Sequence, residues 1–136
     1  MSVQMSNIVR NARLEAIESA IGTAAKLRLY TGAAPANCAA AETGTLRVEF
    51  ALAADWAAAA AAAGVKSFNS LPLLVAAAAS GTAAHFRIYD SAGSTAHDQG
   101  AVTPSGGGGD MTLDNTNIAT SQIVTVTSFP ITEGHA

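Results

Sequence analysis

The chain has 136 residues, a length that fits one domain large enough to bury a hydrophobic core. Seven Lys and Arg against ten Asp and Glu give a formal net charge of −3 without a basic cluster, which argues against direct binding of nucleic acid. Only 12% of the residues are charged, and alanine supplies about a quarter of the chain. Such a surface suits close approach of another protein, so we expect an obligate assembly, although GC-rich codon usage would also enrich alanine.

The first predicted element is an α-helix from about residue 6 to residue 21. Ser6 suits the N-cap position, and Gly22 suits the left-handed position at which many helices end. At about 100° per residue, one side of this helix is apolar. Its members are Val9, Leu14, Ile17, Ala20 and Ile21.

Arg10 and Arg13 lie within that apolar side, near its N-terminal end. Their aliphatic stems can pack there while each guanidinium reaches outward to water. Alternatively, the two arginines pair with acidic groups on a neighbouring subunit. The helix stripe needs a cover, which is the chain's own sheet, another copy or a partner protein. We expect another copy or a partner, so the stripe residues and both arginines are candidate interface residues.

Strands follow the helix, because the apolar period changes from 3.6 to two. Alternation or short β-prone runs mark residues 26–30, 46–50, 84–89, 95–102, 111–113 and 123–131. The sequence Asp-Ser-Ala-Gly at 90–93 predicts a hairpin turn, and the glycines at 106–109 predict a loop tip. We therefore predict a single domain over residues 1–136, mainly β, with a β-sandwich or barrel over about 26–132 behind one N-terminal helix.

The sequence does not decide whether the alanine-rich segment 54–64 forms a helix or an extended chain. Alanine is the best helix former, yet seven alanines offer no amphipathic stripe and a short helix is marginal without packing. Trp56, the single tryptophan, is expected to anchor the core or an interface.

No residue set for catalysis, cofactor binding or metal binding emerges from the sequence. His85, His97 and His135 lack partners at ligand spacing, and His85 falls on the outward face of its strand, where we expect it exposed or interfacial. The glycine run lacks the Lys-Ser or Lys-Thr of a phosphate loop. The Asp and Asn residues of segment 110–117 suggest a calcium site, but their spacing does not match that of an EF-hand loop. The chain is therefore expected not to be an enzyme.

Processing signals are not expected either. The N-terminus is polar, without the apolar core of a signal peptide, and the longest small-apolar run, 57–63, is too short for a membrane span. The single cysteine, Cys38, precludes an intrachain disulfide. We expect a chain that is made in the cytoplasm, without a membrane partner, and that stays there until it is assembled.

Five segments, in this order, resemble a family of small virion proteins of tailed bacteriophages. They are SNIVRNARLEAI, KLRLYTGAAPAN, GTLRVEF, SGTAAHFRIYDSAG and DNTNIATSQIVTVTSF, and they extend over nearly the whole chain. The family includes proteins that look like capsid cement or decoration proteins, and it has no active-site residues to carry over. Such sequences often have a bulky aromatic residue where His85 stands, so this version of the position is more polar.

The resemblance implies a β-sandwich of jelly-roll type that dimerises or trimerises on the outer surface of a phage capsid. Its function would be to bind the outside of the head and stabilise contacts between major capsid subunits. Two alternatives stay open: a tail or head–tail junction protein, and a small surface carbohydrate-binding module. Copy number separates cement from junction proteins, and a carbohydrate module needs aromatic platforms, of which this chain has few. Composition and periodicity alone indicate a β-rich, assembly-prone chain.

Overall fold

The computed structural model describes residues 3–57, 61–69 and 71–133. The chain begins with helix α1 (Asn7–Ile21), and the capping signals in the sequence mark both of its ends. Ser6 Oγ accepts a hydrogen bond from the Val9 backbone N–H at 3.4 Å. Gly22 adopts φ +86°, which a residue with a side chain rarely takes, and its N–H bonds to the Glu18 carbonyl.

Within the described residues, eleven strands follow the helix. They are β1 (Lys26–Tyr30), β2 (Leu46–Ala51), β3 (Val65–Lys66), β4 (Leu73–Ala76), β5 (Gly81–Thr82), β6 (His85–Tyr89), β7 (Ala96–Pro104), β8 (Met111–Leu113), β9 (Asn117–Ile118), β10 (Ile123–Val126) and β11 (Ile131–Thr132). The chain is therefore mainly β with one helix, as the sequence predicts.

The largest sheet has five strands in the order β2-β1-β6-β7-β8, and it is curled. Its pairs are antiparallel except for β7 and β8, which run parallel although only a short loop joins them. Parallel neighbours usually need a connection of a dozen residues or more. Here Gly106 and Gly108 both adopt positive φ, which allows the chain to turn back within that loop.

Three two-stranded ribbons complete the fold: β4 with β10, β3 with β11, and β5 with β9. The inner face of the large sheet and the inner faces of the ribbons share one buried core. Four aromatic rings run edge to face through this core, with centroids about 5 Å apart from one ring to the next. They are Trp56, Phe68, Phe129 and Phe86.

Three predictions change in detail. The single strand predicted over 123–131 divides into β10 and β11, because Phe129 turns inward between them and is buried. The strand predicted over 84–89 is buried on both faces instead of one. For segment 54–64, whose conformation the sequence left undecided, the described parts form a bridge from Ala57 to Phe68 and a turn closed by Ala62 and Val65, and they contain no helix. Residues 58–60 lie outside the described residues.

Candidate functional site

Helix α1 packs on its own domain. Leu14 and Ile21 are almost fully buried, and Ile17 packs against the core, so the chain itself covers most of the stripe. The expectation that another copy or a partner covers these three residues is therefore wrong. The physical reason is that the alanine-rich segment and β3 lie across the helix and supply a surface that periodicity alone does not reveal. Val9 differs, since it remains exposed.

The two arginines of the helix find their acceptors within the same chain. The buried Arg10 guanidinium donates from Nε and Nη2 to the Glu133 carbonyl oxygen, at 3.1 and 2.7 Å. Gly64, at φ +76°, packs so closely against this guanidinium that a side chain there would clash with it. Arg13 Nη1 lies 3.0 Å from Glu133 Oε1. Glu133 of the same chain thus takes the place of the predicted neighbouring subunit, and the arginines tie the C-terminal end to the helix.

Lys66 and Trp56 make further contacts with the helix. The Lys66 ammonium is buried and lies 2.7 Å from Glu15 Oε2 and 3.0 Å from Glu18 Oε2. Trp56 Nε1 donates to the Gly22 carbonyl at 2.8 Å, so the tryptophan is a core anchor that reaches the helix end. Sequence reasoning missed Lys66, and its only signal was being the one cation in an apolar stretch of the chain.

His85 is buried, which corrects the expectation of an exposed or interfacial residue. Its ring stacks on Tyr30, with centroids 5.4 Å apart. His85 Nδ1 lies 2.8 Å from the Gly32 carbonyl oxygen, and Nε2 lies 3.1 Å from Glu42 Oε2. Both ring nitrogens therefore face oxygen atoms that accept hydrogen bonds, a backbone carbonyl on one side and a carboxylate on the other.

The burial of His85 comes from residues 31–45, which fold over the outer face of the large sheet and which we name the covering segment. Arg87, the neighbour of His85 on that face, donates from Nη2 to three backbone carbonyls of this segment, at 3.3, 2.7 and 3.1 Å. Gln99 Nε2 donates to the Pro35 carbonyl at 2.7 Å. Sequence reasoning missed Arg87, because alternation placed it on an outer face and the covering segment is what closes that face.

Charges lie close together beneath and beside the covering segment. Arg28 and Arg87 are directly opposite each other in the β1–β6 pair, an arrangement that is unfavourable without neighbouring anions. Glu49 supplies one anion, with Oε2 at 2.6 Å from Arg28 Nε. Glu42 supplies the other, with Oε2 at 3.5 Å from Arg87 Nη1. The cluster is therefore close to neutral only while both carboxylates are ionised.

The pKa values follow this arrangement. Partial burial alone would raise the pKa of Glu42, but the Gly44 backbone N–H, His85 and Arg87 outweigh burial and hold that pKa below its usual range. Burial, and then the Tyr89 hydroxyl at 3.2 Å, raise the pKa of Tyr30. Tyr30 is therefore a neutral hydroxyl in the working range of pH.

An open cleft of about 910 Å³ lies between the covering segment and the turn at 93–97. Tyr30 and Tyr89 contribute to its lining, but both rings are buried and Arg28 lies over the Tyr89 ring, 4.6 Å from the centroid. Neither ring offers an open face on which a sugar could stack, which weakens the carbohydrate-binding alternative. Cys38 lies at the rim without a hydrogen bond from His85, whose nitrogens face Gly32 and Glu42 instead.

Metal binding has no ready site in residues 3–57, 61–69 and 71–133, where no group of three or more His, Cys, Asp or Glu could hold an ion. In the segment considered for calcium, Asp110 Oδ2 accepts from the Ala101 N–H at 2.9 Å. Asp114 and Asn115 accept from backbone N–H groups nearby. The Asp114 and Asn115 contacts are local turn interactions of the kind that Asx residues in loops usually make, and the Asp110 contact joins its loop to β7.

A patch of exposed apolar side chains lies on the outer face of the β4–β10 ribbon. Leu74 and Ile123 are 59% and 56% exposed. The register pairs Leu74 with Thr125 and Ile123 with Ala76, so these four side chains share one face. We name them the ribbon patch. A second exposed apolar group, Ile8 and Val9, lies at the start of α1.

Comparison of the chain with protein-family models, with curated proteins and with solved structures finds no match. The likeness to phage virion proteins therefore stays an expectation, and function has to be inferred from the geometry of this chain. Among the described residues, no helix has the length and apolar character needed to cross a membrane.

Proposed function

We propose that this chain is a non-enzymatic capsid cement protein of a tailed phage, located on the outer surface of the virion head. In this proposal it is made in the host cytoplasm, associates into a dimer or trimer, and bridges major capsid subunits. A protein that binds only the assembled shell stabilises that shell by mass action. The fold that goes with this function is a jelly-roll-like sandwich, in which the large sheet and the ribbons form the two layers.

The ribbon patch is the observation that carries the proposal. Monomeric proteins do expose single apolar residues, but two large aliphatic side chains that are more than half exposed on one face of a strand pair favour a protein contact. Their neighbours on that face, Ala76 and Thr125, are small or of medium size and uncharged, so a partner can approach without desolvating a charge. Closed symmetry is the usual outcome for such self-association.

The distribution of charge supports a protein partner over nucleic acid. Five of the seven cationic side chains already contact acceptors within the chain: Arg10, Arg13, Arg28, Lys66 and Arg87. Several carboxylates instead face outward, among them Asp55, Asp110 and Asp114. Phosphate binding requires cations that are available at the surface, and here most are engaged.

The particle test uses virions of the phage whose structural genes encode the chain. Quantitative mass spectrometry should count hundreds of copies per virion, and heads stripped of the chain should release DNA at a lower temperature than heads to which it is added back. Few copies per virion would favour the tail or head–tail junction alternative. Failure to bind heads at all would overturn the proposal. Hydrolase screens of the purified protein should be blank, and turnover of any substrate would contradict the non-enzymatic assignment.

The ribbon patch is tested with two matched double variants, each of which removes two exposed apolar side chains. Leu74→Ser with Ile123→Ser changes the ribbon patch, and Ile8→Ser with Val9→Ser changes the start of the helix. Light scattering of the wild type should report a dimer or trimer, and only the ribbon variant should be a monomer. If the wild type is a monomer at high micromolar concentration, the ribbon patch belongs to the capsid contact, and the ribbon variant should then fail to bind heads. A ribbon variant that self-associates and binds heads like the wild type would refute the role of the ribbon patch.

A further inference from the structure

The covering segment has no buried residue. From Thr31 to Thr45, every side chain is either exposed or only partly exposed, although six of the fifteen residues are alanines. The hydrophobic core contains no member of this segment. Burial of apolar surface, which usually dominates the stability of folded chain, therefore contributes little to holding it in place.

Polar contacts hold the covering segment instead. Three side chains of the sheet contact its backbone carbonyls: His85 that of Gly32, Arg87 those of residues 37, 38 and 40, and Gln99 that of Pro35. From the segment, the Glu42 carboxylate oxygens approach His85 Nε2 at 3.1 and 3.2 Å. Few buried apolar contacts together with polar attachment are the marks of a unit that opens locally.

Among the residues that the structure describes, Glu42 is the only carboxylate that joins the covering segment to the sheet. Besides His85 and Arg87 on β6, it accepts from the backbone N–H groups of Thr43 and Gly44, at 3.0 and 2.7 Å. A single ionised side chain thus fixes the C-terminal half of the segment and compensates the buried Arg87 guanidinium.

We propose that the covering segment is an acid-released lid, which opens when Glu42 is protonated while the rest of the domain stays folded. A protonated carboxyl group no longer compensates the Arg87 guanidinium and no longer offers an ionised acceptor to the His85 ring. Arg28, directly opposite Arg87, then adds to the repulsion beneath the lid, with only Glu49 remaining as a nearby anion. The other titratable groups around the lid are Tyr30, which is stacked on His85, Tyr89 and His97, which line the same cleft, and Cys38 on the lid itself. Opening uncovers the outer face of β1 and β6.

The direction of the pH response follows from the Glu42 pKa. This pKa lies below the ordinary value of 4.5 in the closed form, so the closed form gains stability from ionisation. That stabilisation is fully present above 4.5 and is lost as the pH falls through the lower pKa of the closed lid. Acid, and not alkali, therefore opens the lid in this proposal.

Hydrogen–deuterium exchange at neutral pH tests the proposal without changing the pH. Glu42→Gln removes the charge that joins lid and sheet, and Glu49→Gln is the matched control, since it removes the other carboxylate of the same charge cluster outside the lid. In Glu42→Gln, amides of residues 31–45 should exchange at least about tenfold faster, because hydrogen bonds to charged groups are lost. Amides of β10 should be unchanged, and Glu49→Gln should accelerate the lid amides less than Glu42→Gln does, because Glu49 pairs with Arg28 and not with the lid. Unchanged lid exchange in Glu42→Gln, or acceleration throughout the core, would overturn the proposal.

A second measurement uses the wild type alone. Cys38 is the only cysteine and lies on the lid, so its rate of reaction with 4,4′-dithiodipyridine reports opening. Each rate is divided by that of a peptide of residues 33–43 at the same pH, which cancels the intrinsic pH dependence of the thiol. The ratio should stay constant above pH 4.5 and rise as the pH falls below that value, while Trp56 fluorescence is unchanged. A flat ratio, or a rise that coincides with a change in Trp56 emission, would contradict local opening.

Discussion

Truncation of Leu14 tests whether α1 belongs to the core of the domain. Leu14 is 1% exposed, and Leu14→Ala removes three carbon groups from a fully packed position. At about 0.8 kcal/mol for each buried methylene, the transfer contribution is roughly 2.4 kcal/mol. The cavity left behind adds to this, and Leu→Ala changes in protein cores cost about 2–5 kcal/mol. We therefore expect Leu14→Ala to lower the free energy of unfolding by about 3 kcal/mol, and Tm by roughly 12 °C for a chain of this size.

The matched control is Ile8→Ala in the first turn of the same helix. Ile8 is 81% exposed, so its truncation should change stability by less than about 0.5 kcal/mol, helped by the higher helix propensity of alanine. Urea unfolding followed by Trp56 fluorescence measures both variants, and Trp56 is a direct reporter because its Nε1 bonds to the Gly22 carbonyl at the end of α1. Equal stability of the two variants would refute the docking of α1 on its own core, and the helix would again be free to bind a partner.

Two further predictions concern the ion pairs that hold the helix. Arg10→Met should lower the free energy of unfolding by about 2 kcal/mol, because the Glu133 carbonyl loses two hydrogen bonds from a charged donor. Arg13→Met, which removes a half-exposed ion pair, should lower it by less than about 1 kcal/mol in the same urea experiment. Equal losses in the two variants would contradict this ranking. Burial alone would lower the pKa of Lys66, but its two glutamate partners raise it above the ordinary 10.5. Wild-type stability should therefore be lost as the pH rises above 10.5 through the raised pKa, and Lys66→Met should show a smaller alkaline loss of Tm; an identical loss would show that Lys66 does not contribute.

Local sequence signals were sufficient for α1 and for the first strands. Ser6 and Gly22 mark the helix ends because capping depends on a few neighbouring backbone groups, which the sequence places in contact directly. The alternation of Leu27 and Leu29 with charged neighbours identifies β1, since the two faces of a strand separate with a period of two. The mainly β character follows from the same kind of evidence. For Trp56 the sequence allowed either a core or an interface position, and the fold places it in the core.

Tertiary structure decided what covers each surface. His85 and Arg87 alternate with apolar residues as an outward face would, yet residues that lie about 50 positions away along the chain close that face with backbone carbonyls. The covering segment is rich in alanine and glycine, and its sequence has no pattern that predicts which strands it will cross. The hydrogen bonds from Arg10 to the Glu133 carbonyl join positions 123 residues apart, and no local sequence pattern predicts such a pair. Periodicity identifies which side chains share a face, but whether that face meets water, a loop or a helix depends on the path of distant chain, which only the folded structure defines.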